Sequence, residues 1–278
     1  MMHKHVFRAL AVAAFTCLLA GPGSATAQTT KSAGGTLVVG TAPKYPPFES
    51  KDPETGNTVG FDVDIIEAVA AKMGSKVEWQ DTNFDQLLSS ITTKRLDLIV
   101  GGMADTQERQ ASVSFLDYLR LDSIFYTLKT QASKFPSMDA LCGKRVGTAR
   151  RTIWPDAIAA WSEEHCVKQG KPAVVVVGTD GSPDTRLQLN QSRIDAAVQG
   201  APTLPYQNKL EGNKYVQVGT PFLPQLMGMG FRKNDAEFGT KLKTAFNAII
   251  ADGTYKKILT KWGLEGSAVD AARINGKQ

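Results

Sequence analysis

The chain has 278 residues, a length that allows one large domain or two smaller ones. Hydrophobic residues make up 42% and charged residues 21% of the chain, which is typical of globular proteins and excludes a disordered one. The formal net charge of +5 comes from 32 basic and 27 acidic side chains scattered along the sequence, so it does not indicate nucleic-acid binding.

The N-terminus has the order of a secretory signal peptide. Lys4 and Arg8 precede an apolar run over residues 9–20, Gly and Pro then break the run, and an Ala-Thr-Ala site ends at Ala27. The apolar run is too short to cross a bilayer. We therefore expect residues 1–27 to be a signal peptide that is cleaved after Ala27, which places the protein in the periplasm.

The cysteines indicate a disulfide. Cys17 lies within the signal peptide, and the apolar run continues past it, which disfavours a lipid-modified cysteine. Cys142 and Cys166 remain, an even number in an oxidising compartment, and we expect them to be bonded to each other. Two buried free thiols are the alternative. No metal site is expected, because the only histidine after the signal peptide, His165, has one neighbouring cysteine.

After a polar segment that we expect to be flexible (residues 28–35), short apolar strands alternate with amphipathic helices. This alternation predicts parallel β-α-β units. In the first half, strands are predicted over 36–40, 76–80 and 96–100, and helices over 62–73 and 85–93. In the second half, strands are predicted over 144–147, 174–178 and 194–198, and helices over 154–169 and 182–190.

The two halves share a short signature. The sequence Arg-Leu-Asp-Leu-Ile-Val at 95–100 matches Arg-Ile-Asp-Ala-Ala-Val at 193–198, each where a helix leads into a strand. Together with the repeated order of elements, the match predicts two similar α/β lobes. Chance recurrence of a common helix-to-strand junction is the alternative.

The C-terminal part does not continue the alternation, because two helices follow each other there, over 235–251 and 254–262. Since the first lobe has only two helices of its own, we expect the chain to return to it. A ligand would then lie in the cleft between the lobes, at the carboxyl ends of the strands. The expected lobe 1 comprises 36–118 and 228–278, the hinge 119–122 and 223–227, and lobe 2 residues 123–222.

Catalytic motifs are absent from the sequence. It contains no G-x-S-x-G, no P-loop and no H-E-x-x-H motif. A histidine general base is also unfavourable, since His165 is next to a predicted disulfide cysteine. We expect no catalytic residues and no cofactor.

A loop after the third strand is the strongest candidate for ligand binding. Gly101 and Gly102 allow a ligand to approach the backbone closely. Backbone N–H groups of the short helix that follows can accept an anion. Arg109 lies one turn into that helix, where its guanidinium could bind a carboxylate through two hydrogen bonds. The alternative is a surface arginine paired with Glu108 or Asp105.

The second lobe has a counterpart of this loop at residues 147–154. Arg150 and Arg151 lie there between a strand and a helix, and they favour an anion at the helix N-terminus. Solvent-exposed arginines are the alternative. Four aromatic residues also lie in or beside the predicted cleft loops, where they could flank a ligand or belong to the core: Tyr45, Phe48, Phe84 and Trp154.

Four motifs in a fixed order resemble the family 3 periplasmic solute-binding proteins, the receptors of polar amino-acid ABC importers. The resemblance covers about residues 36–262. The motifs are Tyr45-Pro-Pro-Phe48-Glu, Val59-Gly-Phe-Asp-Val-Asp64, Gly101-Gly102-Met103 to Glu108-Arg109, and Asp252-Gly-Thr-Tyr-Lys-Lys-Ile258 to Trp262.

The resemblance implies an α/β protein with the two-lobe periplasmic-binding-protein fold of type II. Each lobe would be an α/β sandwich, and two hinge strands would join them. Such a receptor closes on a small molecule and delivers it to an ABC permease at the inner membrane. We expect a monomer that binds neither nucleic acid nor a metal.

The resemblance also implies a ligand site. Arg109 would hold the ligand's α-carboxylate, backbone groups of both lobes would assist it, and aromatic side chains would flank the ligand. The expected ligand-binding residues are Arg109, Gly102, Ala104, Tyr45, Phe84, Arg150, Thr152, Ile153, Trp154, Gln199 and Gly200.

One departure from the family pattern concerns the ligand's charge. Gly200 stands where amino-acid receptors of this family usually have an acidic residue for the α-ammonium group, and Ala42 is neutral as well. Arg150 adds a charge at a position that is commonly uncharged. Because a buried ammonium without a carboxylate is costly, we expect a small anionic ligand, or a zwitterionic one that is an acidic or substituted amino acid.

Two other functions are compatible with the scaffold. One is a periplasmic enzyme similar to cyclohexadienyl dehydratase, which needs an acid where this chain has Gly200. The other is an accessory binding protein of a periplasmic quinoprotein dehydrogenase, which no feature of the sequence favours. We expect a binding protein without enzymatic activity.

Overall fold

The computed structural model describes residues 35–276. The expected signal peptide, with Cys17, and residues 28–34 lie outside this range. The strands are β1 (Thr36–Thr41), β2 (Lys44–Tyr45), β3 (Glu49–Lys51), β4 (Thr58–Val59), β5 (Lys76–Asp81), β6 (Leu98–Ile99), β7 (Val113–Leu128), β8 (Arg145–Ala149), β9 (Val175–Thr179), β10 (Ala196–Gly200), β11 (Tyr215–Arg232) and β12 (Arg273–Ile274). The helices are α1 (Phe61–Lys72), α2 (Leu87–Thr92), α3 (Gln107–Gln110), α4 (Trp154–His165), α5 (Ser182–Asn190), α6 (Thr203–Leu210), α7 (Ala236–Ala251) and α8 (Thr254–Trp262).

The main sheet has the strand order β5-β1-β6-β11-β7-β10-β8-β9, and β12 pairs with β7. β1 pairs in parallel with β5 and β6, and β8 pairs in parallel with β9 and β10. These two parallel groups are the β-α-β units that the sequence predicts. β2, β3 and β4 form a separate small antiparallel sheet.

Each parallel group has its own hydrophobic core. In the first, Ile65 of α1 packs in one cluster with Phe246 of α7 and Tyr255 of α8. In the second, Ile158 of α4 packs with Val146 of β8. Further buried clusters cover the other face of each group. The fold is therefore a two-lobe α/β fold, in which the C-terminal helices α7 and α8 pack against α1 of the first parallel group.

Two long strands run from one lobe to the other. β7 and β11 pair antiparallel with each other; β11 also pairs with β6, and β7 with β10. The β7–β11 register is interrupted between Val218 and Phe222 and again between Phe222 and Gln225, and Leu223 has a φ of 52°. Such irregularities bend a strand pair locally. They lie close to the predicted crossing at 223–227.

The structure confirms the predicted disulfide between Cys142 and Cys166, whose Cα atoms are 5.6 Å apart. The helix predicted over 154–169 is shorter than expected: α4 ends at His165, and a separate 3₁₀ turn follows over Val167–Gln169. Cys166, with a φ of −116° and a ψ of −63°, is the C-cap residue of α4 and precedes the 3₁₀ turn. The disulfide fixes the position of this fully buried residue, which limits the directions that the following backbone can take.

Two other elements are also shorter than predicted. The strand expected over 96–100 is reduced to Leu98–Ile99, because the Leu96 N–H donates to the Ser90 carbonyl in the turn before it. The helix expected over 85–93 begins as the 3₁₀ turn Phe84–Gln86. Within residues 35–276, no helix is both long and apolar enough to cross a membrane.

Candidate functional site

A cavity of about 860 Å³ opens where the strands of both lobes end. Its first-lobe wall comes from residues 42–45, 80–86 and 101–102, and its second-lobe wall from residues 149–152 and 179–182. These segments follow β1, β5, β6, β8 and β9. The carboxyl ends of parallel strands are the usual ligand site of α/β sheets, so this cavity is the candidate ligand site.

Tyr45 joins the two lobes at the base of the site. Its ring centroid lies 5.0 Å from that of Phe48 in the first lobe and 6.0 Å from that of Trp154 in the second. The Gly200 N–H donates a hydrogen bond of 3.1 Å to the Tyr45 hydroxyl. Burial raises the pKa of Tyr45 far above its ordinary value, so the hydroxyl is neutral at physiological pH.

The contact with Tyr45 requires a residue without a side chain at position 200. A Cβ atom built at Gly200 would lie 2.6 Å from the Tyr45 hydroxyl oxygen, and one at Gly102 would lie 2.6 Å from the Tyr45 ring. Neither distance is compatible with ordinary packing, so both glycines leave room for the tyrosine. The hydroxyl of Tyr45 thus occupies the space that a side chain at position 200 would take.

Trp154 is held in place by the long strands. Its indole Nε1–H donates to the Ser123 hydroxyl oxygen at 2.8 Å, and the same oxygen accepts a 3.2 Å hydrogen bond from the side-chain amide of Gln225. Ser123 lies in β7 and Gln225 in β11. The aromatic wall of the cavity is therefore fixed to the strands that connect the lobes.

Arg109 lies against the wall of the cavity. Its guanidinium carbon is 5.8 Å from the centroid of the Phe84 ring, and Phe84 lines the cavity. One guanidinium nitrogen, Nη1, donates to the Ala104 carbonyl at 2.8 Å. Burial lowers the pKa of Arg109, because a desolvated cation is less stable than a hydrated one. The nearby Glu108 carboxylate partly offsets this effect on the pKa. No carboxylate among residues 35–276 lies within ion-pair distance of Arg109, so its guanidinium can still bind an anion.

Two buried carboxyl groups that the sequence analysis did not select lie beside the cavity. Glu49 is 1% exposed and lines the cavity, and Asp62 is fully buried at the start of α1. Asp62 accepts hydrogen bonds from the Tyr118 hydroxyl at 2.8 Å and from the Gly102 N–H at 3.2 Å. A carboxylate is rarely buried without a role, so these groups are candidates for contacting a cation.

The second-lobe candidates have different environments. Arg150 is exposed, lines the cavity and donates to the Gly178 carbonyl at 3.2 Å. Thr152 also lines the cavity, and its hydroxyl donates to the Ala149 carbonyl. Arg151 forms an ion pair with Asp85 of the first lobe, which bridges the two walls of the cavity.

The Arg151–Asp85 pair should contribute little to binding. The Arg151 side chain is 64% exposed, and ion pairs at such exposed positions typically contribute 0–1 kcal/mol. Arg151→Ala should therefore lower ligand affinity by less than about fivefold, and the difference should shrink in high salt. Calorimetry at two salt concentrations tests this, and a loss of about a hundredfold or more would show that Arg151 contacts the ligand directly.

Gln199 points away from the aromatic wall. Its neighbour Val198 packs in the Trp154 cluster, whereas Ala197 packs with Ile124 on the other face of the sheet. Since side chains alternate along a strand, Gln199 shares the face of Ala197. Its amide is buried, and neither amide atom has a hydrogen-bond partner among residues 35–276.

The structure thus brings together part of the set of residues expected from the sequence. The lining of the cavity includes Tyr45, Phe84, Gly102, Arg150, Thr152 and Trp154. Three further residues lie directly behind this lining. Arg109 contacts Phe84, Ala104 accepts a hydrogen bond from Arg109, and Gly200 donates one to Tyr45. Ile153 packs against both core clusters beside Tyr45 and does not line the cavity.

Comparisons with known proteins agree with this architecture. Residues 37–265 match the model of the bacterial extracellular solute-binding proteins, family 3. The histidine-binding periplasmic protein of Escherichia coli K12 is 29% identical over 231 residues, which covers 81% of this chain and 86% of that protein.

Two solved structures are similar over most of the chain. An ancestral arginine-binding protein bound to arginine is 30% identical, with a TM-score of 0.72, and the match covers 83% of this chain and 99% of that one. The ancestral amino acid-binding protein AncCDT-1, described as a precursor of cyclohexadienyl dehydratase, is 29% identical with a TM-score of 0.70, over 82% of this chain and 95% of that one. Fold, motif order and family match all lead to the same assignment: the chain is a member of the family 3 bacterial extracellular solute-binding proteins.

Proposed function

We propose that this protein is the periplasmic receptor of an ABC importer and captures an amino acid between its lobes. The observation that carries the proposal is the cavity between the carboxyl ends of both sets of strands, with a partly buried arginine behind one wall and a buried carboxyl pair at another. Its relatives include a histidine-binding periplasmic protein and an arginine-binding protein. A ligand that touches both lobes favours the closed arrangement, because only that arrangement provides all the contacts.

The division into lobes follows the long strands. We place lobe 1 at 36–118 and 228–278, lobe 2 at 123–222, and the hinge at 119–122 and 223–227. The register interruption between Phe222 and Gln225 and the positive φ of Leu223 support the second hinge segment. Hinge motions concentrate in a few residues that absorb changes in φ and ψ.

The ligand that we propose is a zwitterionic amino acid rather than a purely anionic compound. The expectation of an anion rested on Gly200 and Ala42, which provide no negative charge, and on Arg150, which adds a positive one. Glu49 and Asp62 provide a negative charge from the first lobe, and Arg109 can bind the α-carboxylate. A ligand with a carboxylate at one end and a positive group at the other matches this arrangement of charges.

Calorimetry with four probes tests the ligand class: L-arginine, L-histidine, L-glutamine and succinate, a carboxylate without an amino group. We expect at least one amino acid to bind with micromolar affinity or better, and succinate to bind at least a hundredfold more weakly. Tight binding of succinate with no binding of any amino acid would overturn the proposed ligand class. Native mass spectrometry of protein purified without refolding provides an independent identification.

The partners and the location follow from the receptor role. We propose a monomer in the periplasm that docks on the permease of its importer. We also propose that the protein is not an enzyme, although it is similar to a precursor of a dehydratase. Position 200 offers only a backbone N–H bonded to Tyr45, which cannot act as a general acid. Prephenate incubated with the protein should remain unchanged.

A further inference from the structure

Glu49 and Asp62 lie next to each other inside the first lobe. The Asp62 N–H donates to the carbonyl of Phe48, the residue before Glu49, at 3.0 Å. Both side chains also reach the same loop: a Cβ built at Gly101 would lie 3.6 Å from Glu49 Oε1, and the Gly102 N–H donates to Asp62.

Burial and the neighbouring Asp62 carboxylate raise the pKa of Glu49 well above its ordinary value. Burial also raises the pKa of Asp62, and hydrogen bonds from Tyr118 and Gly102 partly offset that effect. Two adjacent carboxyl groups in a buried site cannot both be ionised without a large repulsion.

The hydrogen bonds around the pair identify which group carries the proton. Asp62 accepts from Tyr118 and from Gly102, so both of its oxygens are satisfied as an ionised carboxylate. Glu49 Oε2 is buried, and no donor among residues 35–276 contacts it. If Glu49 is protonated, its hydroxyl can donate a hydrogen bond to the ionised Asp62 carboxylate. The buried Glu49 oxygen is then no longer without a partner.

No basic side chain among residues 35–276 forms an ion pair with Glu49 or Asp62. The titratable groups that interact electrostatically with Glu49 are Asp62 on α1, Tyr118 on β7 and Tyr45 on β2, and all of them are acids. Lys51, on the same strand as Glu49, is paired with Asp81 at 2.7 Å. A positive charge that neutralises the pair must therefore come from outside the first-lobe core, and Glu49 lies on the surface of the ligand cavity.

We propose that Glu49 and Asp62 share one proton in the ligand-free receptor and release it to solvent when the positively charged group of an amino acid binds beside them. This inference rests on the proposed function, because it requires a cationic group in the cavity. The charge balance is simple: the ligand brings one positive charge and the pair gives up one proton. Binding is then linked to pH, and affinity rises with pH by up to about tenfold per unit until the pair is already deprotonated without ligand.

Calorimetry of L-arginine binding in phosphate and in Tris, at the same pH, tests the release. The two buffers have different ionisation enthalpies, so the difference in observed heat gives the number of protons exchanged. We expect release of up to about one proton per arginine at neutral pH. Arginine binding with no buffer dependence from pH 6 to pH 8 would overturn the inference and leave the receptor function intact.

Two variants separate this pair from other acids. Glu49→Gln keeps a donor for Asp62 but has no proton to lose, so it should bind arginine without proton release. Glu54→Gln makes the same change at an exposed glutamate in the loop after β3 and should release as many protons as the unmodified receptor. Equal release by Glu49→Gln and the unmodified receptor would contradict the assignment to Glu49.

Infrared spectroscopy of the unmodified protein provides a readout that does not depend on a variant. A protonated carboxyl group has a carbonyl band that an ionised one lacks. We expect this band at neutral pH without ligand and a loss of part of it on adding arginine, because Asp117, whose pKa burial raises to about 7, contributes a share that the ligand does not change. Absence of the band in the ligand-free protein would overturn the shared proton, whether or not any amino acid binds.

Discussion

Arg109→Ala should weaken amino-acid binding by about 2–4 kcal/mol, a loss of roughly 30- to 1,000-fold in affinity. The guanidinium is already desolvated, since burial lowers the pKa of Arg109. It lies 5.8 Å from the centroid of the Phe84 ring and donates to the Ala104 carbonyl. A ligand carboxylate would supply the negative charge that no ion pair within residues 35–276 provides. Removing the arginine would leave that carboxylate buried without a cation, which is the larger part of the expected loss.

Two comparisons make the Arg109 result specific. Arg95→Ala removes an arginine that lines the cavity, but Arg95 is exposed and donates to the Ser90 hydroxyl at 2.9 Å, so this variant should lose less than about threefold. Agmatine, which is arginine without its carboxylate, should bind Arg109→Ala and the unmodified receptor about equally. Unchanged arginine affinity in Arg109→Ala would remove Arg109 from the site.

Local sequence signals predicted the elements that depend on local interactions. Helix α5 begins after Gly181 with Pro183 in its first turn, and α8 lies between Gly253 and Gly263, so their bounds are as predicted. The return of α7 and α8 to the first lobe also followed from the sequence, because amphipathic helices need an apolar surface to cover.

The long strands could not be identified in the same way. β7 is buried on both faces over most of its length, so it does not show the alternation of a half-exposed strand. Charged residues such as Asp117 and Arg120 interrupt its apolar pattern, and only the pairing with β11 explains their place in a strand. The residue pattern therefore indicated two crossings, and the family resemblance implied hinge strands there, but neither predicted that the strands extend over 16 and 18 residues.

The carboxyl pair depends on tertiary structure in a similar way. Glutamate is almost never fully buried, so Glu49 was not selected, although it directly follows Phe48 in a motif that was recognised. An acid next to an aromatic residue in a cleft loop was the available signal. Asp62, in the first turn of α1, matches the ordinary preference for acids at helix N-termini, which concealed its contact with Glu49.

The contact between Tyr45 and Gly200 leads to the second prediction, Gly200→Ala. The added Cβ would lie 2.6 Å from the Tyr45 hydroxyl oxygen, so the tyrosine and β10 could no longer approach each other across the cleft. Overpacking of this kind typically costs about 1–3 kcal/mol, and here the cost falls on the closed arrangement. We expect arginine affinity to fall by roughly 5- to 150-fold. Gly266→Ala, where a Cβ meets no atom within 4 Å, should leave affinity unchanged.

A double-mutant cycle with Tyr45→Phe separates crowding from the loss of the hydrogen bond. Tyr45→Phe alone removes the acceptor of the Gly200 N–H and should cost about 0.5–1.5 kcal/mol in binding. The same change removes the atom that the new Cβ would meet, so the double variant should bind more tightly than Gly200→Ala alone. If the two losses simply add, the residues act independently and the crowding explanation is wrong. A non-additive result would mean that the size of residue 200 sets how closely the lobes meet at Tyr45, which is a physical reason for glycine at a position where the resemblance implies an acid.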